Sequence, residues 1–467
     1  MPDKYHIKTQ PVPARRPRIG KCGVVDWRED CANCHNCVKK ACVFDRYRQE
    51  ADYIRGLTEM DAFFFQCMGC FSCVQQCTKG LLALSENPVY ERLGNRYWTP
   101  AIIETTWAQA ETAKIPVSGA GYRGKFSGPG FDSMWTDMSE IVRPTRDGIH
   151  GREYISTGVD IGRKLPVLHF SKDGQIKMPP LVDIPMPMMI DVLPKEYSLP
   201  QLLPVFKAVA AATGIIMIAD SKDIGLLGNE LEQYLPNIAF YFASGAPLLH
   251  KDILRKTRLA EISDDDKTDQ RIKELKNINP DMVVAVRVTL DAAGVKRAIE
   301  LAHRPHMEAI HVVADMNGDE IGAKNPRFVK DMVRQIHNPL VADGIRNEVT
   351  LIAGGGIALP EHMAKQLLCG ADLVTINLPL LIALECHLCR VCDVSRCPAR
   401  LDEMDEKYAV GRMINLIAAW HDQLIEVMGA MGIRDARRLR GEVGRALFFE
   451  ELEEATFGKI FGSRKNS

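Results

Sequence analysis

The chain has 467 residues with 59 Lys and Arg against 60 Asp and Glu, a net charge of −1 that argues against a general nucleic-acid or polyanion binder. Hydrophobic residues make up 46% and charged residues 25%, an ordinary globular balance at a length suited to two or three domains. No run of about eighteen apolar residues suggests a membrane span, and the polar, Pro/Arg-rich start lacks the apolar core of a secretory signal, so a cytoplasmic chain is expected.

The first chemistry-bearing stretch is "CANCHNCVKKAC", with Cys31, Cys34, Cys37 and Cys42, followed by "CMGCFSCVQQC", with Cys67, Cys70, Cys73 and Cys77. Gaps of two to four residues are too cramped for a disulfide framework, and a reducing compartment keeps such thiols available for metal. Three cysteines at two-residue gaps wrap three irons of a cube. In two-cluster ferredoxins the fourth cysteine of each run crosses to the other cluster. The expected sets are therefore Cys31, Cys34 and Cys37 with Cys77, and Cys67, Cys70 and Cys73 with Cys42. Zinc pairs are the competing reading, but they would leave the third cysteine of each run surplus. Cys22 and Cys369 fall outside the groups and read as plain buried or half-buried thiols.

From about residue 100, apolar runs alternate with helical stretches. The runs are "IPVSGA" (115–120), "MPMMIDV" (186–192), "GIIMIAD" (214–220), "NIAFYFAS" (237–244), "MVVAVRV" (282–288), "AIHVVAD" (309–315), "VTLIAGGG" (349–356) and "LVTIN" (373–377). Eight strands apolar at nearly every position, joined by helical crossovers, predict an α/β fold: a (β/α)8 barrel. The expected domains are a ferredoxin-like module over 1–95 with two 4Fe-4S clusters, the barrel over 96–400, and a C-terminal helical tail over 401–467. Segment 121–185 reads as a functional insertion. Its Arg143, Arg146, Arg152, Arg163 and Lys164 around His150 either clamp a carboxylate or phosphate, or brace a lid. His303, His306 and His311 read as loop and strand-edge residues, because Pro305 breaks the register a ligand pair needs.

Barrel chemistry sits at the C-terminal ends of the strands, with phosphates at the loops after strands seven and eight. Gly354, Gly355 and Gly356 end strand seven and suit an anion site, with a tight strand-to-helix turn as the alternative. "GAGYRG" (119–124) imitates the dinucleotide fingerprint, but no helix start follows it, so no nicotinamide site is expected. The last cysteine group, "ECHLCRVCDVSRCP", holds Cys386, Cys389, Cys392 and Cys397 just beyond strand eight.

This order of features resembles the synthase part of the glutamate synthases, in particular the archaeal-type large chain with its two-cluster module. The likeness is most specific in "GADLVTINLPLLIALECHLCRVCDVSRCP" and fair at "IPVSGAGY", "NINPDMVVAVRVTLDAAGV" and "GAMGIRDARRLRG". It implies FMN in the barrel beside an iron–sulfur cluster, and reductive formation of glutamate from 2-oxoglutarate and ammonia. By position, Gly119, Ala120 and Gly121 would line the flavin, and Gly354, Gly355 and Gly356 would hold its phosphate. Asn377 replaces the phosphate-loop glycine after strand eight. Arg287 stands where the family has lysine, and a cation there would stabilise negative charge on a reduced flavin. Asp315 matches a family aspartate that would orient flavin or substrate, with a loop carboxylate as the alternative. The family's barrel cluster takes Cys-x5-Cys-x4-Cys, matched by Cys386, Cys392 and Cys397. Cys389 adds the missing middle ligand, so 4Fe-4S is expected over 3Fe-4S, with an unused thiol as the alternative.

Departures from the family are informative. Residue 2 is proline rather than a nucleophilic cysteine, so a separate glutaminase or other ammonia supplier is expected, along with ferredoxin or other redox subunits in an oligomer or complex. The loops "ADSKDIGLLGNELEQ" and "ADMNGDEIGAKNP" replace glycine-rich family turns. An electron-transfer subunit acting on another substrate or partner is therefore the alternative function.

Overall fold

The computed structural model describes residues 5–16, 19–26, 34, 38–41, 69–115, 130–136, 155–167, 170, 172–174, 176, 178–197, 199–228, 230–389, 397–441, 445–458 and 460. The chain divides into two compact units. One comprises Met1–Val12, Glu104–Cys386 and Arg390–Ser467, and the other Pro13–Ile103 with His387–Cys389. In the smaller unit, strand β1 (Cys22–Asp26) pairs antiparallel with β2 (Leu82–Glu86). Asn87 fixes the turn beyond β2. Its side chain accepts from Val89 N at 2.9 Å and donates to Gly20 O at 2.8 Å.

The larger unit is built around a closed parallel barrel of β6 (Met188–Ile190), β7 (Ile216–Asp220), β8 (Ile238–Phe242), β9 (Leu259–Ser263), β10 (Val283–Thr289), β11 (Ala309–Val313), β12 (Thr350–Gly354) and β13 (Leu373–Ile376). These strands are buried nearly throughout, which is why they read as continuous apolar runs. Two short antiparallel pairs lie outside the barrel: β3 (Met134–Thr136) with β14 (Ala446–Phe448), and β4 (Val159–Ile161) with β5 (Val182–Ile184). Gly162, just after β4, exchanges hydrogen bonds with the Thr350 hydroxyl at 2.9 and 3.0 Å, which seats β4 at the N-terminal end of β12.

The barrel closes without residues 115–120, since β13 pairs directly with β6; residues 116–120 lie outside the described residues. The unrecognised strand is β9, "LAEIS", whose Glu261 and Ser263 interrupt the apolar run. One strand too many and one too few cancel, so strands five to eight keep their numbers.

Helices Leu203–Thr213, Thr268–Ile278, Gly294–Ala302, Val329–Ala342 and Pro360–Leu368 form crossovers, whereas β7 leads to β8 through 3-10 turns, Ser221–Leu227 and Leu231–Asn237. The helix Glu406–Met431, expected as part of a tail, packs on both Pro360–Leu368 and Leu203–Thr213. Those two helices flank the eighth place in the outer ring, so this long helix fills it. Buried Arg412 fixes it by donating to Ala383 O at 2.5 Å, Val12 O at 3.0 Å and Trp107 O at 3.2 Å. The cysteine group around 386–397 is thus an insertion between strand eight and its ring helix, preceded by the fully buried short helix Leu378–Ala383. Among the described residues, no helix is long and apolar enough to cross a membrane.

Candidate active site

A cavity of about 570 Å³ opens at the C-terminal ends of the barrel strands, lined among others by Asp191, Tyr241, Arg287, Asp315, Gly355 and Asn377. Asp191, Asp315 and Asn377 follow the ends of otherwise apolar strands, and Tyr241 and Arg287 lie among the last residues of theirs. There the chain leaves the hydrophobic barrel and can hold charge.

Arg287, near the end of β10, is not an isolated cation. Its guanidinium is paired with Asp191 and Glu261 and lies over the Tyr241 ring, 4.7 Å from the centroid. Burial works against its charge, but the two carboxylates outweigh burial and raise its pKa. Burial likewise raises Glu261, and Arg287 and His311 overcome that to hold the carboxyl well below the usual range. The positive field that the sequence offered to a reduced cofactor is therefore already balanced by two acids.

The cluster continues inward. Glu261 meets His311 Nδ1 at 3.0 Å, His311 Nε2 meets the Thr375 hydroxyl at 3.1 Å, and that hydroxyl donates to Asp191 Oδ2 at 3.3 Å. His311 is fully buried, unlike His303 and His306, which pair with Asp343 and Asp269 on the surface. Sequence reading passed over Asp191, Glu261 and Thr375, and took His311 for a loop or strand-edge residue although it is buried inside β11. The available signal was a polar residue set into each apolar strand or at its end, which strand register then brings together: Arg287 faces His311, and Gly354 faces Thr375.

The three glycines after strand seven serve different needs. A Cβ on Gly354 would lie 2.5 Å from Thr375 Oγ1 and 3.0 Å from His311 Nε2. Gly355 and Gly356 have φ of +95° and +69° and pack against the strand-six loop, where a Cβ would meet Asp315 O at 2.5 Å and the Gly318 Cα at 2.6 Å. Asp315 lines the cavity, but its Oδ1 accepts from Asn317 N and Asp319 N, both at 2.8 Å, and so shapes its own loop. Asn377 caps the short helix by accepting from Leu378 N at 2.6 Å and donates to Val192 O at 3.1 Å, closing that backbone donor to a ligand.

Gly119, Ala120 and Gly121 lie outside the described residues, as do Arg143, Arg146, His150 and Arg152. Arg163 and Lys164 do not reach the cavity. Arg163 binds Glu348 and the carbonyls of Arg304 and Met307, and Lys164 pairs with Asp160, all at the N-terminal end of the barrel.

Among the expected cluster ligands, Cys31, Cys37, Cys42, Cys67 and Cys392 lie outside the described residues, and among those described no three metal-ligating side chains converge. In the smaller unit, Cys77 Sγ accepts from Leu81 N at 3.2 Å. That bond and those of neighbouring backbone amides lower the thiol's pKa. Cys34 and Cys70 are exposed and Cys73 is buried. Of the last group, Cys386 is buried, Cys397 half-buried and Cys389 exposed. Cys22 and Cys369 are both buried, and burial pushes the Cys369 thiol up to about 12.

Residues 250–434, which carry Glu261, Arg287, His311 and Thr375, match the family model described as a conserved region in glutamate synthase. An archaeal-type glutamate synthase (NADPH) of Dehalococcoides mccartyi is 25% identical over 94% of this chain and 97% of its own length. The chain is similar to the archaeal-type glutamate synthases over nearly its whole length. An archaeal glutamate synthase (NADPH) of Archaeoglobus fulgidus is 23% identical, covering 93% of this chain and 96% of that one. A Thermotoga glutamate synthase (strain RQ2) is 24% identical over 92% and 95%. The chain therefore aligns with each of them nearly end to end.

Proposed function

We propose that the protein is a flavin- and iron–sulfur-dependent oxidoreductase of the glutamate synthase type, with FMN at the C-terminal mouth of the barrel. The observation that carries this reading is the cavity at the strand ends in a chain collinear with glutamate synthases. The residues present fit a flavin: about 570 Å³ lies within the roughly 300–1,000 Å³ of small-molecule pockets. Gly355 brings backbone without a side chain to the wall, and Tyr241 offers an aromatic face beside Arg287. The amide-supported thiol of Cys77 likewise suits a cluster ligand.

When bound, FMN would supply two-electron reduction at the cavity. In the family's reaction, 2-oxoglutarate, ammonia, two electrons and two protons give glutamate and water. Within it, Arg287 and Asp191 would orient the ligand from the cavity wall. Cys31, Cys34, Cys37, Cys42, Cys67, Cys70, Cys73 and Cys77 would hold two 4Fe-4S clusters, and Cys386, Cys389, Cys392 and Cys397 a third. A redox partner would supply electrons and a separate subunit ammonia.

One observation favours another substrate. Glu196, Asp220 and Asp223 join Asp191 and Asp315 around the cavity, against Lys195, Lys222 and Arg287, and Lys222 is paired with Asp220. Among the described residues the wall is richer in acids than in bases, which makes it a poor host for the dicarboxylate 2-oxoglutarate. The deciding experiment begins with an anaerobic count of flavin, iron and sulfide in the purified chain. The chain is then given a chemical reductant, 2-oxoglutarate and ammonium, and glutamate is measured. Flavin and clusters with glutamate support the first reading; flavin and clusters without glutamate select an electron-transfer or other-substrate role. Absence of flavin overturns both.

A further inference from the structure

The hydrogen-bond chain beneath the cavity has an unusual proton count. Glu261 accepts from both Arg287 and His311 Nδ1, so Nδ1 carries a hydrogen. Between His311 Nε2 and Asp191 Oδ2 stands one hydroxyl, Thr375, with contacts of 3.1 and 3.3 Å. With a neutral imidazole and an ionised Asp191, that hydroxyl has one hydrogen for two acceptors, so one contact fails. One added proton completes both contacts in either direction. It can sit on Nε2, with His311 donating to Thr375 and Thr375 to Asp191, or on Asp191, with every donor reversed.

Charge leads to the same count. Asp191, Glu261 and Arg287 together carry −1 in a cluster whose side chains are 4%, 1% and 12% exposed. An uncompensated buried charge is costly, and one proton removes it. The groups facing His311 are Glu261 on β9, Arg287 beside it on β10, Asp191 beyond β6 and Thr375 on β13. On β12, Gly354 leaves the space that the contacts occupy, since a methyl there would collide with Thr375 Oγ1 and crowd His311 Nε2.

We infer that His311, Thr375 and Asp191 form a one-proton store under the cavity, which passes its proton through the Thr375 hydroxyl to Asp191 and so to a ligand. Delivery breaks the His311 Nε2–H bond and forms a Thr375 O–H bond while the original hydroxyl hydrogen moves to Asp191 Oδ2. Solvent restores the proton after turnover. Asp191 is the residue that meets the ligand; Thr375, His311 and Glu261 act through it. The use of the proton in a reductive step rests on the function proposed above, whereas the store itself rests on the cluster alone.

The test needs neither turnover nor flavin. The full chain is labelled with 15N-histidine and 13C-aspartate and titrated by NMR, with the resonances assigned by their loss in His311→Gln and Asp191→Asn. The wild type is expected to carry one shared proton, on either His311 Nε2 or Asp191. Thr375→Val should lower the midpoint by at least about one pH unit, tenfold in proton affinity, while Thr375→Ser titrates with the wild type. Gly354→Ala, which displaces the hydroxyl, gives a second route to the same downward shift. A bare Nε2 together with an ionised Asp191 in the wild type overturns the proposal, as does an unchanged titration in Thr375→Val or Gly354→Ala. Failure of the glutamate assay leaves this result standing, so the two readings fail separately.

Discussion

Two buried arginines of the barrel unit, at opposite ends of the strands, show what separates a structural charge from a functional one. Arg346 donates to Val349 O at 2.9 Å and Gly370 O at 2.5 Å, pairs with Asp372 at 2.9 Å, and donates through Nε to His337 Nδ1 at 3.1 Å. Its carbonyl and carboxylate partners immediately precede β12 and β13, so it ties the strand entrances together. Arg287 has no such backbone role in the cluster described above: its partners are the side chains of Asp191 and Glu261, and both it and Asp191 face the cavity. An arginine spent on carbonyls holds a fold. One spent on carboxylates at a cavity wall leaves an arrangement that a ligand or a proton can alter.

The largest effect expected from breaking this contrast is at Arg346. Arg346→Met should cost about 3–5 kcal/mol in urea unfolding, because it leaves two buried carbonyls without this donor and removes one of the two arginines paired with Asp372. At the other end, Arg287→Gln should cost about 2 kcal/mol, since Asp191 borders the cavity and water can take over part of its pairing. Adding Glu261→Gln should return about 1 kcal/mol by restoring charge balance, and strictly additive losses would show that the two groups are not coupled.

The pH dependence of stability reads the structural histidines. His337 and His421 are each held down at about 4 from an ordinary 6.5, chiefly by burial. The unfolded chain therefore binds protons more tightly at these positions, so their stabilisation is complete above pH 6.5 and is lost as pH falls towards 4. Denaturation midpoints should fall across that window, and His337→Gln should flatten part of the fall. The smallest effect is at Asn377. Asn377→Ala removes the cap on Leu378 N and should cost about 1 kcal/mol by thermal unfolding.

Burial on both faces made most barrel strands legible as apolar runs, and the place of Arg287 near the end of strand five was legible with them. β9 was not, because its Glu261 looks like a break in the run until Arg287 and His311 are seen to surround it. The helix Glu406–Met431 looked like a tail because the cysteine insertion separates it from strand eight, and only its packing against two ring helices gives it the eighth place.

The sequence by itself determined the barrel class, the likeness to glutamate synthases, and the cysteine spacing from which clusters are expected. These are local matters: periodicity, runs and gaps. Only the tertiary structure decided that Asp191, Glu261, Arg287, His311 and Thr375 share one cluster. They come from five separate strands or strand ends, and the closed register sets their proximity, not any spacing along the chain.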